Sequence, residues 1–512
     1  MSAADQHSAD ETAALARGGR TSFIGYVLRL AARFPFLFIA GRLYGAEALG
    51  RFAYATMVVE LVAMLATLGL KRGLAEDMAH RGNPDGESHA LYDALLLSLL
   101  ASLGGAALLI AVPQIVFPSG DVTGWGRLFP LIIIAIVVSD ICLAALAFRH
   151  DIAATVRARS LVEPWVLSIA SLALAFTLFK PEGLIIAYVL SMVAAAAASL
   201  APAASSFGLV GGWRPDPGAL KTLVSRNLAL AGADITEWGA RRLDIFILGR
   251  FASPEIVGIY YVAQQIASLP QRLKSSFDPI LAPVLTTNLA AGNMVKVAAH
   301  VRQISFWVGA AQLGVVIALA STGRAGMGLF GPVFAGGALV LAVLLTVELL
   351  AAQAAVAESA LIYVARGRNL VWSLVGVGIQ IGVSLVLVPR TDVLGGGVGA
   401  ALGLAVSALF LSIVKSRLLA EKLGHPVSGW RWSMLIAGAA GLGTGLVVMR
   451  TPEPIQLSIG LIAILGVYGG IIWRFGFKGA DRLLFTRQLR KVAESDDGAL
   501  LTPPLPSTTG KS

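Results

Sequence analysis

Apolar runs of about 20 residues recur along the whole chain, broken by short polar stretches rich in Arg, Lys, Gly and Pro. A helix needs about that length to cross the hydrocarbon core of a bilayer. The pattern predicts 14 membrane-spanning helices. Six lie near 22–43, 52–70, 92–117, 128–148, 161–179 and 183–204. Six more follow near 227–249, 257–284, 303–322, 336–364, 369–389 and 394–415, and a last pair near 431–449 and 455–475. No run alternates apolar and polar residues as the strands of an outer-membrane barrel do.

The breaks divide the chain. Residues 1–21 form a polar N-terminal segment, 22–204 a first lobe, 205–221 a linker containing Gly211-Gly212-Trp213-Arg214-Pro215, and 222–415 a second lobe. Residues 416–476 add the last two spans, and 477–512 form a polar tail, expected to be disordered, that ends in Pro, Thr and Ser. Asp5, Asp10 and Glu11, without an early apolar core, do not fit a cleavable signal peptide.

Composition sharpens this reading. The chain is 56% hydrophobic and 14% charged, with a net charge of +10. With the N-terminus in the cytoplasm, cytoplasmic segments collect 25 Lys and Arg, and the opposite side collects eight. The excess is the positive-inside bias, so it indicates an N-in, C-in protein and no nucleic-acid partner. The single cysteine, Cys142, excludes an internal disulfide, and the six histidines fall outside the apolar cores, so no metal or other cofactor is expected.

The two halves superpose at an offset of 208 residues, with 9 of 24 positions identical between 32–55 and 240–263. Shared apolar composition does not easily produce the matches Arg33/Arg241, Gly41-Arg42/Gly249-Arg250, Glu47/Glu255 and Gly50/Gly258. Six spans separate the matched segments, so the copies share one orientation and form a parallel repeat. Two six-helix lobes related in this way enclose a cavity at their interface, where transporters bind substrate.

Charges interrupt the spans. Arg29 and Arg33 share one face of the first, and Asp234, Glu237, Arg241 and Asp244 share one face of the seventh, with Arg242 off that stripe. Arg272 and Asp278 follow in the eighth. Glu60, Asp140, Glu348 and Glu358 stand as isolated acids. Snorkelling to the surface or a self-neutralising network would explain some of them. Buried charges that face a water-filled interior would explain others. The arginines Arg29, Arg33, Arg241, Arg242 and Arg272 suit a phosphate-bearing cargo, because guanidinium stays charged and offers a planar fork of donors. Glu60, Asp140, Asp234, Glu237, Asp244, Asp278 and Glu348 are candidates for a charge network or for coupling to H+ or Na+.

The segments Gly41-Arg42-Leu43-Tyr44-Gly45-Ala46-Glu47-Ala48-Leu49-Gly50-Arg51-Phe52 and Arg242-Leu243-Asp244-Ile245-Phe246-Ile247-Leu248-Gly249-Arg250-Phe251 resemble bacterial polysaccharide exporters. These are the Wzx-type lipid-linked sugar flippases of the multidrug/oligosaccharidyl-lipid/polysaccharide (MOP) exporter superfamily. The resemblance implies an all-α inner-membrane protein with two parallel six-helix lobes, two C-terminal helices and a MATE-like V-shaped central cavity. It implies a flippase, not an enzyme, that moves an undecaprenyl-diphosphate-linked oligosaccharide to the periplasmic leaflet. Its expected partners are that lipid-linked glycan, membrane lipids, a polysaccharide polymerase and glycosyltransferases. Arg29 and Arg33 match the placement of cavity arginines in related lipid II flippases. The rival readings are an ion-coupled drug or cation antiporter of the same superfamily and a polytopic polymerase or ligase.

Overall fold

The computed structural model describes residues 34–118, 120, 124–208, 213–271, 285–286, 288–390 and 395–477. For 124, 125, 229, 233, 235–238, 240 and 241 the description stops at the backbone. All regular structure among the described residues is helical. The longer helices, in chain order, are α1 Gly45–Ala66, α2 Leu70–Arg81, α3 Pro84–Ala111, α4 Ile132–Phe148, α5 Glu163–Leu174, α6 Gly183–Phe207 and α7 Pro217–Phe251. They continue with α8 Pro254–Ala267, α9 Met294–Ser321, α10 Ala338–Val364, α11 Arg366–Leu387, α12 Gly396–Leu423, α13 Trp432–Val448 and α14 Leu461–Ile471.

Each of the 14 expected spans falls, at least in part, on a described helix. By length and composition, nine helices among the described residues are suited to cross a membrane, and α13 is a shorter apolar one. The charged α7 is not among the nine, although it is 35 residues long.

Two departures from the expected layout have local causes. The first span ends at a break at Gly45 (φ 88°), and the helix of the second, α1, is followed at once by the polar α2, beyond the apolar residues. Between α1 and α2 the chain turns at Leu68 (φ 52°) and Gly69 (φ 76°). Glycine suits this turn on two counts, because it tolerates positive φ and because a Cβ there would lie 2.5 Å from the Asn227 carbonyl oxygen. The second departure is that α7 begins at Pro217, inside the expected linker. Asp216 caps it by accepting from the Gly218 and Ala219 amides at 3.1 Å, and Pro217 occupies the first helical position, where no N–H is needed.

Contacts divide the chain into two compact units. The first comprises Met1–Leu269, Gly323–Val347 and Val371–Leu411. In it α1 packs against α8, and α6 packs against α4 and α5. Polar contacts lock one end of this bundle. Arg81 reaches Asp77 at 3.1 Å and Asp93 at 2.8 Å, and the Trp213 indole N–H donates to Asp93 at 3.0 Å. Arg149 pairs with Glu87 at 2.7 Å and stacks over Phe207 at 3.9 Å.

The second unit comprises Pro270–Thr322, Glu348–Leu370 and Ser412–Ser512. Its core joins α9 to α13 and α14 through Phe306, Ala310, Ile317, Met434, Ile464 and Tyr468. The Tyr468 hydroxyl donates to the Ala310 carbonyl at 2.7 Å in a buried contact. Tyr468→Phe should therefore cost about 1 kcal/mol, the net worth of one hydrogen bond, seen as a lower unfolding midpoint in detergent with the helical content unchanged. Glu358 is not isolated here. Buried Lys415 pairs with it at 3.0 Å, and the Asn369 amide donates to it at 3.2 Å.

Candidate functional site

The first unit contains a polar cavity of about 510 Å³ among α1, α4 and α6. Glu60 and Met64 come from α1 and Lys71 from α2. Ile136, Asp140, Leu143 and Ala144 come from α4, and Tyr188 and Met192 from α6. Thr155, Arg159 and Glu163 close it from the stretch that leads into α5. Five charged side chains thus face one chamber walled by methionine, leucine and isoleucine.

Arg159 is set in place by a backbone irregularity. Residues Arg157–Val162 form a π-turn before α5, and Pro164 stands in the first turn of α5. Proline has no N–H for the carbonyl four residues back and crowds it, which widens the preceding turn. The π-turn carries Arg159 onto Asp140, with which it forms a very close ion pair. Its other terminal nitrogen meets Glu163 at 2.9 Å. Lys71 reaches the second Asp140 oxygen at 3.1 Å. Asp140 is thereby held by two cations, and Arg159 by two carboxylates.

Glu60 is held differently. The Tyr188 hydroxyl donates to one of its oxygens at 3.0 Å, and no cation among the described residues pairs with it. Tyr188 is itself buried, with its ring packed against Phe52 and Phe129 at centroid distances of 5.7 and 6.1 Å. The chamber therefore contains a closed ionic cluster around Asp140 and one carboxylate with room for a further cation or proton.

The structure brings together two of the acids singled out in the sequence, Glu60 and Asp140, in this chamber. Asp234 pairs instead with Arg72 of α2 at 2.8 Å. Asp244 is fully buried and accepts from the Tyr260 hydroxyl at 2.6 Å and from the Gln264 amide at 2.9 Å, both on one oxygen, and its other oxygen has no side-chain partner among the described residues. Arg242 is half-buried on α7, and Glu348 is half-buried on α10. Arg29, Arg33, Arg272 and Asp278 lie outside the described residues, as do the side chains of Glu237 and Arg241. Lys71 and Arg159, counted among the cytoplasmic charges in the sequence, are instead the partners of Asp140. The available signal was the Arg159/Glu163 spacing of four beside Pro164.

The family follows from residues 39–306, which match the model described as polysaccharide biosynthesis protein. The match covers more than half of the chain. The chain belongs to this family. No curated protein sequence matches it. Several solved structures share its fold. The lipid II flippase MurJ in an inward closed conformation superposes with a TM-score of 0.66 at 10% identity, covering 89% of this chain and 98% of that one. An inward-facing multidrug resistance MATE family transporter of the MOP superfamily gives 0.62 at 17% identity, covering 78% and 94%. A MOP superfamily transporter from Pyrococcus furiosus gives 0.55 at 17% identity, covering 80% and 95%. At these identities the likeness establishes the fold. This member of the polysaccharide biosynthesis family is a multi-pass, all-α membrane protein with the MOP transporter fold. The resemblance to Wzx-type polysaccharide exporters agrees with the family and with the fold.

Proposed function

We propose that the protein is a flippase that moves a polyprenyl-diphosphate-linked oligosaccharide from the cytoplasmic to the periplasmic leaflet of the inner membrane. The glycan would be a precursor of O-antigen, capsule or exopolysaccharide. The observation that carries this reading is a charged chamber within a membrane-spanning bundle of the MOP fold, in a chain of the polysaccharide biosynthesis family. Charge inside a membrane bundle is costly and marks a pathway for polar cargo or ions.

The division of labour we infer has two parts. Arg29, Arg33, Arg241, Arg242 and Arg272, from spans 1, 7 and 8, receive the diphosphate, and the polyprenyl chain stays in the lipid. Glu60 takes the coupling cation, H+ or Na+, because it is the chamber's acid with no basic partner among the described residues. Two parallel lobes, 22–204 and 222–415, rock about the linker to expose the cargo to either side, with both termini in the cytoplasm. A polymerase and glycosyltransferases are the expected partners before and after this step.

Reconstitution tests the reading. Proteoliposomes should flip a fluorescent polyprenyl-diphosphate sugar, and the double variant Arg33→Ala/Arg241→Ala should flip it at least tenfold more slowly, because each arginine supplies charge-assisted hydrogen bonds worth about 1.5–3 kcal/mol. Wild-type flipping by the double variant would remove the cationic site from the proposal. Ethidium export without sugar-lipid movement would favour the antiporter, and glycosyl transfer by the purified protein would favour an enzyme.

A further inference from the structure

The 208-residue repeat has a physical counterpart where α1 meets α8. Gly50 and Gly258 are repeat partners, and so are Ala46 and Pro254. A Cβ on Gly50 would overlap the Pro254 carbonyl oxygen and come within 2.7 Å of the Gly258 nitrogen. A Cβ on Gly258 would overlap the Ala46 carbonyl oxygen and come within 3.0 Å of the Gly50 nitrogen. The contact of position 50 with 254 and that of 258 with 46 are therefore one contact seen twice. Such reciprocity is what a local two-fold axis imposes on a self-complementary interface. The axis of the repeat passes between the two glycines.

This meeting is backbone on backbone. Among the described residues no ion pair or side-chain hydrogen bond joins α1 to α8. The other end of α7 is held by different chemistry. There Arg72 pairs with Asp234 at 2.8 Å, Arg226 approaches Glu76 at 3.6 Å, and Asn227 lies against Gly69 and Gly73 of the α1–α2 region. One end is thus clasped by charge, and at the other the α1–α8 contact itself rests on dispersion between small residues, which is lost outright when the surfaces part; beside it Tyr54 stacks on Phe246 and Arg42 donates to the Leu329 carbonyl at 2.8 Å. Close approach of this kind tolerates no side chain.

We propose that the Gly50–Gly258 contact is a gate that closes the end of the bundle at which α1 begins, and that closure requires glycine at both positions. In the orientation proposed above this is the periplasmic end. A side chain at either position would hold the helices apart and shift the population toward the outward-open form, with equal effect from the two sides of the axis. The proposal rests on the transporter reading for its purpose, but its test measures access and not cargo.

The test uses full-length protein in which Cys142 is replaced by Ala and Val257→Cys is the single thiol. Val257 is 1% exposed and lines the small cavity beside the glycines with Arg51, Tyr54 and Arg250. Its labelling by a membrane-impermeant maleimide from outside the cell should be slow. Adding Gly50→Leu or Gly258→Leu should speed it about tenfold or more, and to a similar degree. Gly258→Ala should give a smaller rise and covers the case in which leucine prevents insertion. Gly104→Leu, where a Cβ meets nothing within 4 Å, should leave the rate unchanged. Unchanged labelling in the Gly50 and Gly258 variants that reach the membrane would overturn the gate, whatever cargo the protein proves to carry.

Discussion

Replacing Asp140 with alanine should lower the stability of the folded protein by about 3–5 kcal/mol, the cost of removing one partner from a buried ionic cluster. The carboxylate neutralises Arg159 directly and Lys71 at 3.1 Å. The side chains of Asp140 and Arg159 are each only 15% exposed, whereas Lys71 is 56% exposed and can turn to solvent. The burden therefore falls on Arg159, which would keep Glu163 at 2.9 Å as its ion-pair partner. Asp140→Asn should cost less than alanine, because it keeps the volume and one hydrogen-bonding oxygen. The double variant Asp140→Ala/Arg159→Met should be more stable than the sum of the two single changes predicts, since the two most buried charges leave together and only the more exposed Glu163 and Lys71 lose a partner. Thermal unfolding in detergent, followed by loss of monodisperse protein, provides the measurement. Additive losses would show that the pair is not coupled.

The same cluster shows what the sequence could and could not reveal. The spans were legible because a lipid-crossing helix needs a long apolar run, and that signal survives without knowledge of neighbours. Asp140 and Glu60 were legible as polar exceptions within such runs. Lys71 and Arg159 were not, since each sits at the end of a span and looks like an ordinary cytoplasmic charge. Their partner lies 69 and 19 residues away in sequence, and only packing of α2 and the π-turn against α4 joins them. The polar α2 escaped notice for the complementary reason, that hydropathy registers apolar helices alone. The charged stripe of α7 was read as one face, yet Asp234 and Asp244 have separate partners, because a 35-residue helix passes several neighbours along its length. The repeat was visible as identities at a fixed offset. Gly50 and Gly258 are among those identities because the two lie back to back, a contact that the offset alone does not show.

Glu60→Gln should uncouple transport while leaving the protein folded. The carboxylate lacks a cation among the described residues and faces a chamber large enough for water. Glutamine keeps the size of the side chain and an oxygen for the Tyr188 hydroxyl, so the packing of α1 against α6 is preserved. It removes the charge that a proton or sodium ion would neutralise. Coupling between two sites in one protein is typically worth 1–3 kcal/mol, so flipping driven by an ion gradient should fall by roughly 5- to 150-fold. Flipping down the sugar-lipid gradient alone should change little, because the arginines proposed to hold the cargo are untouched. Tyr188→Phe should have a smaller effect in the same direction, since it removes a hydrogen bond and not the ion's counter-charge. Imposing a proton gradient and a sodium gradient separately on proteoliposomes identifies the ion, and its stimulation should disappear in Glu60→Gln. If both gradients stimulate the variant as they do the parent, coupling resides in another acid, and Asp244, fully buried with one oxygen lacking a side-chain partner among the described residues, is the next to replace.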